Sequence, residues 1–366
     1  MRAVVVTPEK RQVHIVERSE PPRPKGSEVL LSPVEVGICG TDREIMALEH
    51  GAPPPGAADL VLGHEALAEV IEVGPDATWA RPGDLVVPTV RRPCRNPRCP
   101  ACSQGHPEHC VTGEFSERGI VRADGFMSEA VLESERFLVP VPRVLADVAV
   151  LAEPLSVIVK GVDDYEAVRA RYGFEVARPR GLVLGAGPIG LLATMVLEAD
   201  GIDTYVFSRE PEDDPRAELI RALGATYVSS ASTPLDKLPE RVGSFDVVFE
   251  AVGVPEVAFG ALPALAPNAV AVLSGIPAQR GPVPAELSRW MRDLVLKNQA
   301  VVGTVSAGRP AYEGALRRLE QCMVLFPDAV RSLIQRVPFE QAPEVVARGP
   351  AIKNVVRLKD AVTRIR

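Results

Sequence analysis

Apolar and polar positions along this chain follow two rhythms. Through roughly the first 150 residues the apolar runs are short, as in "RAVVVT", "VEVGIC" and "LVLGHEALAEVIEVG". Gly or Pro interrupts them and few helical periods appear, which predicts a β-rich domain. From Arg180 the pattern changes to "GLVLG", an apolar helical run, and a second strand ending near Phe207. "ELIRALGATYVSS", "FDVVFEAVG", "AVAVLSGIP" and "AVVGTVS" continue the alternation of strand and helix. That alternation predicts a doubly wound parallel sheet from about Leu155 to about Thr304.

The turn after "GLVLG" reads Gly185-Ala186-Gly187-Pro188-Ile189-Gly190. With a strand before it, a helix after it and a second strand at the right distance, this is a dinucleotide fingerprint. Gly185 makes the tight turn, Gly187 lets the backbone approach a pyrophosphate, and Gly190 lets helix pack on strand. The phosphates would lie at the helix N-terminus, where N–H groups and the dipole favour anions. At the end of the second strand, Ser208 and Arg209 stand where an NAD site usually carries an acid. Arginine there accommodates a 2′-phosphate, so NADP is the preferred cofactor. Glu210 follows and leaves NAD possible.

Composition narrows the classes. At 366 residues, 46% hydrophobic and 24% charged, the chain has the material for two packed domains. A net charge of -7 without a basic block disfavours nucleic acid. The N-terminal apolar run is four residues, too short for a signal-peptide core, and no run reaches the length of a membrane span. A cytoplasmic protein is expected, in a compartment where thiols stay reduced.

Four of the six cysteines fall as Cys94-x4-Cys99-x2-Cys102-x7-Cys110 in a loop rich in Pro, Gly and Asn. That spacing suits a closed, structural four-thiolate zinc site. His106 and His109 lie in the same loop as alternative ligands, and Cys322 reads as a buried thiol. A zinc ribbon would present the same cysteines, so this loop alone assigns no activity. "GICGTD" and "GHE" add Cys39, His64 and Glu65, donor types that leave a zinc position open for chemistry. Each also has a structural reading: a small core thiol, a turn histidine and a surface acid.

Taken in order, "GICGTD", "GHE", the four-cysteine lobe and the glycine fingerprint resemble the zinc-dependent medium-chain alcohol dehydrogenase superfamily over nearly the whole chain. "GTDREI", "RGIVRADGFMSEAVL", "LAEPLSVIVKG" and "SREPE" are similar to its archaeal-type glucose 1-dehydrogenase branch. The resemblance implies an α/β chain with a GroES-like zinc-binding catalytic domain at 1–154. A Rossmann domain at 155–304 and a segment 305–366 returning to the first domain complete it. It implies two zincs: a catalytic one on Cys39 and His64 with Glu65 or Glu153, and a structural one on Cys94, Cys99, Cys102 and Cys110. Thr41 is implied as proton relay, Thr41, Glu114 and Glu153 as substrate contacts, and Gly185, Gly187, Pro188, Ile189, Gly190, Ser208 and Arg209 as cofactor contacts.

The activity so implied is oxidation of the C1 hydroxyl of glucose or a similar aldose to a lactone, by hydride transfer to NADP, by a homodimer or homotetramer. Polar residues are expected near Val90, Leu296 and Ser306, and two of these three are aliphatic here. A polyol or other secondary alcohol therefore stays open as substrate. A non-catalytic zinc and nucleotide sensor, or a zinc-free reductase, would leave Cys39, His64 and Glu65 without a purpose.

Overall fold

The computed structural model describes residues 1–277, 281–348 and 352–359. The last residues of the C-terminal segment, 360–366, lie outside the described residues. Two compact units emerge: Met1–Ser156 with Ser306–Glu320 and Arg331–Arg366, and Val157–Val305 with Gln321–Val330.

In the first unit a sheet of seven strands, among the described residues, runs through Leu138–Pro140, Leu85–Pro88, Glu65–Val73, Glu28–Gly37, Lys353–Arg357 and Ile334–Pro338, with Val131–Ser134 also on Glu28–Gly37. Its pairings are antiparallel except that of the last two strands. One core packs Val36, Ile45, Leu62, Phe126 and Met127 with Phe339 and Val346, so Phe339 and Val346 of the C-terminal segment are built into this unit, whereas Gln321–Val330 belongs to the other. The register that places Gly37 opposite Glu65 matters most, because it brings the loop after one strand beside the start of the next.

The second unit holds a parallel sheet in the order Thr226–Ser229, Asp203–Ser208, Arg180–Leu184, Phe245–Glu250, Leu265–Leu273, Ala300–Gly303. Numbered along the chain within this sheet, that is the 3-2-1-4-5-6 order of dinucleotide-binding folds. Its central strands are buried and read as near-continuous apolar runs because parallel sheets are covered on both faces. Leu182, Leu184, Phe207, Phe245 and Val248 form the core on one side.

Candidate active site

Cys39 follows the strand Glu28–Gly37 and is the N-cap of the helix Gly40–Ala47. Its N–H donates to Asp42 Oδ2 at 2.8 Å, so a fully buried aspartate fixes the backbone that carries the thiol. Glu65 opens the facing strand, and its carboxylate lies over Gly37, where an added Cβ would come 2.1 Å from Oε2. Glycine is required there by close approach. The result is a cluster in which donor atoms of Cys39, His64 and Glu65 all lie within 4.8 Å of one another. Thr41 Oγ1 stands 3.9 Å from Cys39 Sγ.

Glu153, in the first turn of the helix Ala152–Ala170, is outside that three-residue cluster but close enough to feel its charges. It keeps some solvent access, yet burial raises its pKa to about 7, with Glu65 pushing the same way and His64 opposing. Burial disfavours protonation of His64, but Cys39, Asp42 and Glu153 outweigh it and hold its pKa above the ordinary value. A pocket with this excess of acidic groups attracts a cation. His64 Nδ1 is buried, has no hydrogen-bond partner and lies 3.8 Å from Asp42 Oδ1. An unsatisfied imidazole nitrogen beside a thiol and a carboxylate fits a zinc ion, which takes these three donor types.

Sequence reasoning missed Asp42 and Lys353. Lys353 Nζ is buried, 2.5 Å from the Glu65 carboxylate, and also donates to Ile38 O at 3.3 Å. Asp42 was signalled by its capping-box spacing from Cys39, whereas nothing local announces Lys353, 288 positions from Glu65.

The sulfurs of Cys94, Cys99, Cys102 and Cys110 also lie within 4.8 Å of one another. Burial and neighbouring thiols push Cys102 up to about 12, while hydrogen bonds from Thr112 overcome burial and draw Cys110 down to about 6. Four thiols so placed resist ionising together, a conflict that a central divalent cation removes. His106 and His109 are exposed and outside this cluster. Glu114 is exposed, and Cys322 is buried.

In the second unit Gly185 takes φ +105°, and at Gly190 a Cβ would lie 2.0 Å from Gly185 O, so the helix Pro188–Ala199 packs directly on the turn. At Gly187 a Cβ would meet nothing within 4 Å, which leaves the open face that a pyrophosphate needs. Ser208 is buried at the end of its strand and Arg209 is 92% exposed. Glu250, buried, accepts from the N–H groups of Val252, Gly253 and Gly275 and so ties together the loops at the same end of the sheet.

Residues 25–143 match the alcohol dehydrogenase GroES-like domain and residues 146–358 the glucose dehydrogenase C-terminus. Glucose 1-dehydrogenase 1 of Caldivirga maquilingensis is 42% identical over 340 residues, 92% of each chain. Glucose 1-dehydrogenase of Thermoproteus tenax is 40% identical over 349 residues, 94% of this chain and 95% of that one. The structure of Haloferax mediterranei glucose dehydrogenase in complex with NADP, Zn and gluconolactone superposes with a TM-score of 0.90 at 33% identity, covering 98% of this chain and 99% of that one. The chain belongs to the zinc-dependent medium-chain alcohol dehydrogenase superfamily, in its archaeal-type glucose 1-dehydrogenase branch.

Proposed function

We propose that this chain is a zinc-dependent aldose 1-dehydrogenase that prefers NADP, accepts NAD, and oxidises the C1 hydroxyl of glucose or a similar sugar to a lactone. The observation that carries this reading is the assembly of half-buried Cys39 with buried His64 and Glu65 into one cluster near Thr41 and Glu153, separate from the four-cysteine lobe. Cys39, His64 and Glu65 or Glu153 would hold the catalytic zinc, Cys94, Cys99, Cys102 and Cys110 the structural one. Gly185 to Gly190, with Ser208 and Arg209, would hold the dinucleotide. When bound, zinc supplies Lewis acidity toward the substrate hydroxyl and the dinucleotide supplies the hydride acceptor.

The chain's own residues do the rest. Asp42 fixes the backbone of Cys39, its charge lies near His64, and Lys353 restrains Glu65. Thr41 takes the C1 hydroxyl proton and passes it toward solvent. Glu153, partly open to solvent, and Glu114, exposed, accept from other sugar hydroxyls. Val90, buried and apolar, offers no such hydrogen bond, so a polyol or other secondary alcohol stays open as the competing reading.

A homodimer or homotetramer belongs to the same reading. The strand Ala300–Gly303 is an edge of its sheet, and Leu287, Met291, Val295 and Leu296 on the helix Leu287–Leu296 are more than 60% exposed, a surface suited to a second copy. Cys39, Cys94, Cys99, Cys102 and Cys110 form no disulfide, which supports a reducing, cytoplasmic setting, and no helix among the described residues is long and apolar enough to cross a membrane. Aldoses, polyols and simple alcohols assayed with NADP and NAD test the proposal. Highest turnover on an aldose with NADP is expected, and polyols outpacing every aldose would overturn it.

A further inference from the structure

Two charged residues beside the glycine turn, Glu210 and Arg216, are held more firmly than Arg209, and Arg216 has no role in the reading above. The Glu210 side chain is 11% exposed. Its carboxylate accepts from the Ser208 hydroxyl, and Ser208 Oγ accepts from Ala186 N–H at 3.2 Å, inside the glycine turn. The Glu210 carbonyl accepts from Tyr227 OH at 2.6 Å and from Ser229 Oγ at 2.8 Å, so the backbone is fixed as well. Glu210 is thus tied to the fingerprint through one hydroxyl.

Arg216, at the start of the helix Pro215–Ala222, reaches back to this carboxylate with Nη1 at 2.9 Å from Oε1. Asp214 grips the other side of the guanidinium, with Nε to Oδ1 at 2.9 Å and Nη2 to Oδ2 at 3.0 Å. Arg216 is 34% exposed, so its free edge is reachable from solvent while its position is set in advance. Arg209 differs: it is 92% exposed and approaches Glu210 only at 3.8 Å. A ligand engaging Arg209 must order a free side chain, whereas one engaging Arg216 exchanges one anionic partner for another.

A carboxylate accepts a hydrogen bond from a hydroxyl and repels a phosphate, and a guanidinium favours the phosphate. We propose that Glu210 and Arg216 together discriminate the group on the adenosine 2′ carbon. Glu210 accepts from the 2′-hydroxyl of NAD. Arg216 turns its Nη1 from Glu210 to the 2′-phosphate of NADP and supplies, beside Arg209, the second cation that Glu210 would otherwise deny it. This rests on the assignment of the glycine turn as the cofactor site.

The test is calorimetric titration of the full-length protein with adenosine 2′,5′-bisphosphate and with 5′-AMP, which differ only at the 2′ position. Arg216→Gln should weaken the bisphosphate at least about tenfold and 5′-AMP far less, the loss expected for a hydrogen bond to a charged group. Arg216→Lys keeps the cation and should restore part of the bisphosphate affinity, which loss of fold would not allow. Glu210→Gln should shift the ratio the opposite way, tightening the bisphosphate and loosening 5′-AMP. An unchanged ratio in both Arg216→Gln and Glu210→Gln would overturn the proposal. Gly187→Val, which fills open space, separates the two levels. If it leaves NADP and NAD binding intact, the cofactor site itself is misplaced. If it abolishes both while the fragment ratio stays fixed in the charge variants, only the discriminator is wrong.

Discussion

Replacing Lys353 with methionine removes a buried cation and keeps most of the volume. Lys353 and Glu65 are 3% and 1% exposed, 2.5 Å apart, and the lysine also donates to Ile38 O. Without the ammonium, the buried Glu65 carboxylate loses the cation hydrogen-bonded to it. Breaking such a pair from one side costs about 3–5 kcal/mol. In a unit of roughly two hundred residues each kcal/mol moves Tm by about 2–4 °C, so a fall of about 6–20 °C is expected in differential scanning calorimetry. The double variant Lys353→Met with Glu65→Gln should recover most of the loss, since no charge is then stranded. Zinc should also raise Tm more in Lys353→Met than in the parent, because the metal becomes the remaining cation near Glu65. A single variant that melts with the parent would refute the reasoning, as would a double variant no more stable than the single one.

Cys39→Ser and His64→Ala should abolish turnover with little change in Tm, checked by steady-state assay and calorimetry, since on the proposed reading these side chains would hold the metal and not the core. Cys99→Ser should instead lower Tm and remove one zinc per chain by elemental analysis, because a closed four-thiolate site contributes directly to folding. The Glu133 carboxyl is buried, but Arg92 and Arg118 overcome that burial and hold its pKa at about 2, below the ordinary 4.5. The folded value lies below the unfolded one, so the stability it gives is present above about pH 4.5 and lost as pH falls toward about 2, about 3 kcal/mol in all. Urea midpoints measured across that window should fall in the parent and fall less steeply in Glu133→Gln, since Glu135, also held at about 2, still titrates there.

Legibility in the sequence followed the range of the interactions. The glycine turn was readable because strand, turn and helix are contiguous, and the parallel sheet because its buried strands are apolar runs. The clustering of the four thiols was readable because they lie within one loop. The meeting of Cys39 with His64 and Glu65 depends on the Gly37–Glu65 register, which no local pattern states; the donor types suggested it, and the strand pairing brings it about. Lys353 was invisible because its partner is 288 positions away and its own strand, "KNVVR", reads as ordinary β structure. Glu210 read as a spare ribose acceptor, since its pairing with Arg216 across the loop depends on how Asp214 caps the next helix.

The central claim is hydride transfer from C1 of an aldose by the zinc-loaded enzyme. Incubating it with NADP and glucose deuterated at C1, and following both products by NMR, tests that directly. Deuterium on the nicotinamide C4 of the reduced cofactor together with gluconolactone, both lost in His64→Ala, is the predicted result. Zinc-loaded enzyme that binds NADP yet leaves the label on the sugar, for glucose and for every other C1-deuterated aldose tried, would contradict the account.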